Sequence, residues 1–306
     1  MASELKPINL HLDKVTIEDI ENHKLISEEE LNRDLANLLK FDAKENTNAF
    51  FGNPFQYHFQ LKNLLKCKRD KGETIYDVWN DPISRDKLID STRKRNRGGR
   101  TAAGNVYEAF RINTGSIVLF KATSAKYLYK KYGATQVLDP TSGWGGRMLG
   151  AWSLGIDYTG FDTNIEMKES YDNMIDYLSD YNPLHTMLGS NIKMNWMSCL
   201  DADFSKIDYD FVLTSPPYVN MELYEHMVPW NSDAEFYTEF FIPLWKKCID
   251  NIKTNGHVCF NISPKMYDDA LSHGLIPCDI EEDLKQQLGQ QTGKKKQDKI
   301  YIWKGE

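Results

Sequence analysis

Cysteine is scarce and scattered. The five residues Cys67, Cys199, Cys248, Cys259 and Cys278 form no CxxC pair and no Cys/His cluster at metal-ligand spacing. A disulfide framework and a zinc site are therefore not expected, nor is any other metal centre. Long apolar runs are missing too: no stretch approaches the roughly 18 residues needed to cross a bilayer, and the opening MASELKPINLHLDK lacks the apolar core of a signal peptide. The expectation is a chain without a membrane partner in a reducing cytoplasm, of a cell or of an infected host, and nuclear only in a eukaryote. A surplus of positive charge is also lacking. With 37 Lys and Arg against 44 Asp and Glu the formal net charge is -7, and the pI is about 5.6. That is the wrong sign for coating nucleic acid through bulk charge, so any such contact has to be local.

What is present describes a globular enzyme-sized chain. At 306 residues, 41% hydrophobic and 12% aromatic, it can bury a sizeable core and exceeds the usual size of one domain. Two basic runs could supply a local patch: Arg93, Lys94, Arg95, Arg97 and Arg100 in STRKRNRGGR, and Lys294, Lys295, Lys296 and Lys299. Either could equally be a solvated loop.

Residues 1 to about 110 are polar and carry helical periodicity, as in SEEELNRDLANLLKF, where Ser27 is placed to cap a helix with Glu30 three residues on. NRGGRTAAGN then sets glycine beside arginine and reads as a loop between two parts of the chain. From about Ile117 short apolar runs alternate with helical patterns, the order of a parallel sheet covered by helices. Strands are predicted at Gln136–Leu138, Tyr158–Phe161, Met194–Trp196, Phe211–Thr214 and His257–Ile262, with a further one in DKIYIWK. The helices between them are predicted at Gly146–Leu154, Asn164–Ser179 and Asp233–Asn251. QQLGQQTGKKKQ reads as a loop, and no internal repeat is visible.

Two motifs carry chemistry. In VLDPTSGWGGRML an apolar strand delivers Asp139, and Pro140, Thr141, Ser142, Gly143 and Gly145 lead into a helix. Ligands of open α/β sheets sit beyond the carboxyl ends of the strands, where glycine lets backbone approach them. The next strand ends in Asp162, about twenty residues on, where a carboxylate can accept both hydroxyls of a ribose. These residues suit an adenosine-containing cofactor and leave a nicotinamide dinucleotide and S-adenosylmethionine both open. The second motif, YDFVLTSPPYVNMELY, places Ser215, Pro216, Pro217 and Tyr218 directly after an apolar strand. Two prolines force the chain out of the sheet in a rigid turn. An exocyclic base amine is a poor nucleophile until acceptors on its N–H groups free the lone pair. Ser215 Oγ and the Pro216 carbonyl are candidate acceptors. Tyr218 could stack on a base turned out of a duplex.

At these residues the sequence resembles the DNA amino-methyltransferases, which methylate N(4) of cytosine or N(6) of adenine. The resemblance covers roughly residues 115 to 265. Asp139, Pro140, Gly143 and Gly145 match the family's cofactor loop, and Ser215 to Tyr218 match its catalytic tetrapeptide. It implies a Rossmann-like class I methyltransferase fold, a mixed but mostly parallel sheet with helices on both faces, and S-adenosylmethionine as cofactor. A third block, SIVLFKATSAKYLYKKYG, is similar to the segment lining the methionine end of that cofactor, with Phe120 and Lys121 at the matching positions; a buried core helix explains it equally well. For the acidic group near the adenine the resemblance offers Asp201 and Asp203, with Asp201 preferred.

The implied layout is a helical region over 1–110 for target recognition, with Arg93, Arg95, Arg97 and Arg100 against DNA, and a catalytic domain over 111–306. Only about fifty residues separate Asp162 from Ser215, too few for a recognition domain between them. The expected partner is DNA, as a duplex with a flipped base or as a single strand. Serine at the first tetrapeptide position favours cytosine. Asn220, Glu222 and Tyr224 could contact the base or order a lid. An RNA or protein amide methyltransferase, and an inactive nucleic-acid-binding homologue, are the competing readings. Oligomeric state, a homodimer included, and biological role, whether restriction–modification, epigenetic marking or viral genome modification, stay open.

Overall fold

The structure, a computed structural model, describes residues 11–44, 49–68, 72–95, 100–115, 117–181, 191–219, 230–283 and 298–306. Arg97, Asn220, Glu222, Tyr224 and Lys294 to Lys296 lie outside the described residues.

Because successive side chains of a strand point to opposite faces, the continuous apolar runs dictate a sheet buried on both sides. In β1 (Gln136–Asp139), β4 (Phe211–Thr214), β5 (His257–Ile262) and β7 (Lys299–Lys304), successive side chains enter two different cores. Val137, Phe211, Leu213, Cys259, Ile300 and Ile302 face one; Leu138, Val212, Val258, Phe260, Tyr301 and Trp303 face the other. With β2 (Asp157–Asp162), β3 (Ile192–Trp196) and β6 (Ile280–Asp283), seven described strands form one sheet in the order β3-β2-β1-β4-β5-β7-β6. β7 runs antiparallel to β5 and to β6, and the other described pairings are parallel. This is the expected Rossmann-like arrangement. Chain order reverses between β1 and β4, so the switch point lies between the two strands that carry the motifs.

Helices cover both faces. On the first lie α7 (Ala122–Tyr132), α8 (Gly146–Trp152) and α9 (Lys168–Tyr181), where Tyr129, Met148, Leu149, Tyr171 and Met174 join the strand residues. On the second lie a π-helical stretch, Phe236–Phe241, running into the helix Ile242–Asp250, and the helix Pro264–Ser272. The six predicted strands begin and end within a residue or two of their expected bounds. β6 and the helix Pro264–Ser272 fall outside the predicted elements. Among the described residues, the only helical element between β3 and β4 is one short 3-10 turn, Phe204–Lys206.

The N-terminal part is helical as expected: α1 (Ile17–Asn22), α2 (Glu28–Lys40), α3 (Asn53–Lys66), α4 (Ile75–Asn80), α5 (Pro82–Arg95) and α6 (Ala102–Thr114). The predicted cap of α2 is present as a capping box: Glu30 N–H donates to Ser27 Oγ at 3.3 Å, and Ser27 N–H to Glu30 Oε2 at 3.0 Å. α1, α4, α5 and α6 surround a core of their own with Ile20, Trp79, Leu88 and Phe110. α2 and α3 bridge to the sheet, because Leu31, Leu35, Leu38 and Phe55 belong to the same cluster as Val137 and Leu149.

Candidate active site

Because β1 and β4 are adjacent and parallel, the chain leaves both at the same edge of the sheet. The two motifs meet there directly. Thr141 Oγ1 donates to the Ser215 carbonyl at 3.1 Å and shares a 2.6 Å hydrogen bond with Thr214 Oγ1. Thr214 is fully buried, so this contact is part of the packed structure.

The loop after β1 is held from beneath by Asp139, a predicted site residue, together with Arg147, Tyr158 and Tyr171, which the primary structure did not mark as functional. Asp139 is buried, and its Oδ2 accepts from Arg147 Nε at 2.7 Å and from the Tyr158 hydroxyl at 2.7 Å. Arg147 also donates to the Thr141 carbonyl, and its guanidinium lies 5.2 Å from the centre of the Phe120 ring. Burial opposes the Arg147 charge, but Asp139 outweighs it and keeps the guanidinium firmly protonated. Ser142 N–H donates to the Phe161 carbonyl at 2.8 Å, and the Tyr171 hydroxyl to the Gly143 carbonyl at 2.8 Å. Gly143 and Gly145 both have positive φ, 57° and 87°. At Gly145 a side chain would also strike Met174, its Cβ falling 2.8 Å from Cε. The backbone conformation is what calls for glycine there, since the end of the flexible Met174 side chain can give way.

Asp162 ends β2 half-buried beside this loop. Its Oδ2 accepts from Gly143 N–H and its Oδ1 from Asn164 N–H, each at 2.9 Å. Each oxygen keeps a further acceptor site. Burial pushes its pKa up to about 6, against the two backbone donors, which lower it. Of the two aspartates after β3, Asp203 is committed: it caps the following turn through Ser205 and pairs with Lys206 at 3.0 Å. Asp201 is exposed, and its carboxylate has no partner among the described residues. Its loop is pinned by Lys247, which donates to the Cys199 and Leu200 carbonyls at 3.0 and 2.5 Å.

Phe120 and Lys121 are buried immediately before α7, Lys121 Nζ lying 4.3 Å from the centre of the Phe50 ring. The residues are thus part of the core, and the Phe120 ring is packed against the arginine that holds the loop after β1.

In the second motif Pro216 is buried, while Ser215, Pro217 and Tyr218 are partly exposed. Ser215 Oγ donates to the Asn261 carbonyl at 3.3 Å, which turns its lone pairs away from that contact and leaves them able to accept. The Tyr218 hydroxyl donates to Asp298 Oδ2 at 2.6 Å, fixing the ring at the start of β7. Burial raises the Asp298 pKa, partly offset by that hydroxyl. Val219, next in the chain, has φ 32°. A β-branched residue there is strained, a cost tolerated mainly where a functional corner imposes it.

The predicted DNA-contacting arginines sit apart from these corners in sequence and in element. Arg93 and Arg95 end α5, Arg93 pairing with Asp90 at 2.9 Å, and Arg100 precedes α6 and meets Glu108 at 3.4 Å. Arg95 and Arg100 line a shallow cleft of about 170 Å³ with Asn105, Glu108 and Ile112. Among the described residues no group of three or more His, Cys, Asp or Glu could hold a metal ion, and no helix is long and apolar enough to cross a membrane.

The chain matches no protein-family model and no curated protein. Among solved structures it is similar to an rRNA methylase from Streptococcus thermophilus at 12% identity, covering 62% of this chain and 100% of that one, with a TM-score of 0.38. It is similar to a SAM-dependent methyltransferase from Neisseria gonorrhoeae at 17% identity, covering 61% and 74%, TM-score 0.38. The T. thermophilus 16S rRNA N2 G1207 methyltransferase, solved with AdoMet and guanosine, is 13% identical over 62% of this chain and 44% of that one, TM-score 0.38. Likenesses this distant carry no inference about chemistry, which rests on the chain's own geometry.

Proposed function

We propose that the chain is an S-adenosylmethionine-dependent methyltransferase acting on an exocyclic amine of a base in DNA, cytosine N(4) ahead of adenine N(6). The observation that carries this reading is the Thr141–Ser215 contact, which sets the glycine loop and the proline-stiffened corner side by side at the switch point.

The residues present fit the cofactor. Gly143 and Gly145 leave the loop backbone open, Asp162 retains acceptor capacity for two ribose hydroxyls, and Asp201 is uncommitted. Asp139 Oδ1 is buried with no hydrogen-bond partner among the described residues, an acceptor waiting for a donor. Bound S-adenosylmethionine supplies an electrophilic methyl on a sulfonium.

The chain's own part is to hold the nucleophile in line. Ser215 Oγ and the Pro216 carbonyl accept the two N–H groups of the amine, which localises its lone pair toward the loop. The Tyr218 ring, held by Asp298, stacks on the base once it has left the duplex. The chemistry needs no group to be covalently modified, so positioning and fixed dipoles supply the rate enhancement.

Cofactor affinity should depend on pH through Asp162. The ionised carboxylate accepts ribose hydroxyls and the protonated one does so poorly. Its pKa of about 6 therefore predicts constant affinity above pH 7 and a decline as pH falls through 6. Binding near pH 6 should release a proton, since ribose donors stabilise the anion. Titration calorimetry in two buffers of different ionisation enthalpy reads both, and Asp162→Asn should flatten the profile at a lower affinity. For the free protein the sign is opposite: ionising this carboxyl costs stability as pH rises from its ordinary value through 6.

For target binding, Arg95→Gln and Arg100→Gln should each weaken DNA affinity and reduce the slope of log affinity against log salt by about 0.9 for each phosphate no longer neutralised. Unchanged slopes would assign these side chains to solvent. Labelled cofactor offered to duplex DNA, tRNA and peptide pools tests the substrate class, and label confined to RNA would overturn the DNA assignment.

A further inference from the structure

The buried polar side chains of α3 are not all accounted for by packing. Gln60 and Asn63 are: Gln60 Nε2 donates to Met174 Sδ at 3.5 Å, and Asn63 Nδ2 to Gln60 Oε1 at 3.0 Å and Ser170 Oγ at 2.9 Å. Gln56, one turn earlier, is fully buried, and its Nε2 reaches the Gly52 carbonyl at 3.4 Å. Its Oε1 has no hydrogen-bond partner among the described residues. A buried amide oxygen without a donor is costly, and a native structure that keeps one calls for a reason.

Its position supplies one. A Cβ built on Gly146 would fall 2.9 Å from Gln56 Oε1 and 1.9 Å from the Phe120 carbonyl oxygen. Two acceptor oxygens, from α3 and from the segment before α7, thus press on the backbone where the glycine loop enters α8. The orphaned Asp139 Oδ1 lies at the floor of the same loop, tied through Arg147 to the Phe120 ring. Lys121, next in the chain to Phe120, is buried with its Nζ over the Phe50 ring.

Acceptors gathered without a donor suit a cationic group whose N–H bonds all donate, not a ribose or a base. The methionine end of S-adenosylmethionine carries an ammonium with three N–H donors and a carboxylate. We infer that Gln56 Oε1, with the Phe120 carbonyl, binds the cofactor's α-ammonium, so that the N-terminal helical region completes the cofactor pocket. The inference rests on the methyltransferase reading above.

Titration calorimetry on the full chain separates the two. S-adenosylmethionine and 5′-methylthioadenosine, which lacks the amino-acid end, are titrated into wild type, Gln56→Leu and Gln56→Glu. The expected result is that Gln56→Leu weakens S-adenosylmethionine by about tenfold and leaves methylthioadenosine unchanged, while Gln56→Glu, which restores an acceptor, holds or tightens S-adenosylmethionine. Wild-type affinity in Gln56→Leu would overturn the inference. Equal losses of both ligands in both variants would assign Gln56 to packing and overturn it too. Binding of neither ligand by wild type would instead remove the methyltransferase reading itself.

Discussion

Arg147→Met should lower the free energy of unfolding by about 3–5 kcal/mol, the usual cost of stripping one partner from a buried ion pair. The magnitude follows from what is left behind. Asp139 stays fully buried, loses its Arg147 Nε donor, keeps the Tyr158 hydroxyl, and already has one oxygen without a partner among the described residues. The Thr141 carbonyl loses its donor as well, and Thr141 is the residue that reaches Ser215. Cofactor affinity and stability should therefore fall together. Replacing both charges, Asp139→Leu with Arg147→Met, should recover much of the stability, because no lone charge remains buried. It should not recover cofactor binding, because the loop is still unpinned. Denaturant titration and calorimetry on the two variants check this; a double variant that binds cofactor like wild type would show that the loop is held some other way.

The second large effect is on turnover. Ser215→Ala and Tyr218→Ala should each slow methyl transfer by more than about tenfold, on the order of 1.4 kcal/mol or more in the barrier, with cofactor affinity little changed. Ser215→Ala removes one of two acceptors for the amine and keeps the turn. Tyr218→Ala removes the stacking surface. Tyr218→Phe loses only the 2.6 Å hydrogen bond to Asp298 and keeps the ring, so its loss should be the smaller of the two. Single-turnover kinetics separates chemistry from binding in each variant. Wild-type turnover in Tyr218→Ala would remove the stacking role.

The parts of this structure that are legible in the primary structure are those with a local signal. Short apolar runs between helical patterns place the six predicted strands, the Ser27–Glu30 spacing places a cap, and the glycine and double-proline corners mark the two loops that Thr141 joins. β6 is not legible because Ile280–Asp283 is short and mostly acidic, an edge strand recruited by β7 and not by its own pattern. Arg147 carries a subtler signal. An arginine inside the apolar run GGRMLGAW, on a helix facing a sheet, has to find a buried partner. Asp139, which reads as a cofactor ligand in the bare sequence, is that partner.

Long-range packing leaves no local trace. Lys66 meets Glu166 at 2.9 Å and Gln60 meets Met174 across a hundred residues or more, so neither the docking of α3 beside the cofactor loop nor the role inferred for Gln56 can be read from periodicity. The arginine run shows the reverse problem. Asp90, three residues before Arg93, is visible in the sequence, and it pairs as helical spacing allows. The run can therefore be placed at a helix end without its ligand being known.

On the proposed function the two corners serve one transfer, from the cofactor to a base amine, at the point where Thr141 touches Ser215. Mass spectrometry of nucleosides released from duplex DNA incubated with the chain and S-adenosylmethionine tests it most directly. N(4)-methylcytidine in its deoxy form, absent with Ser215→Ala, is the predicted product. Unmodified DNA beside methylated RNA or peptide from the same incubation would contradict the account.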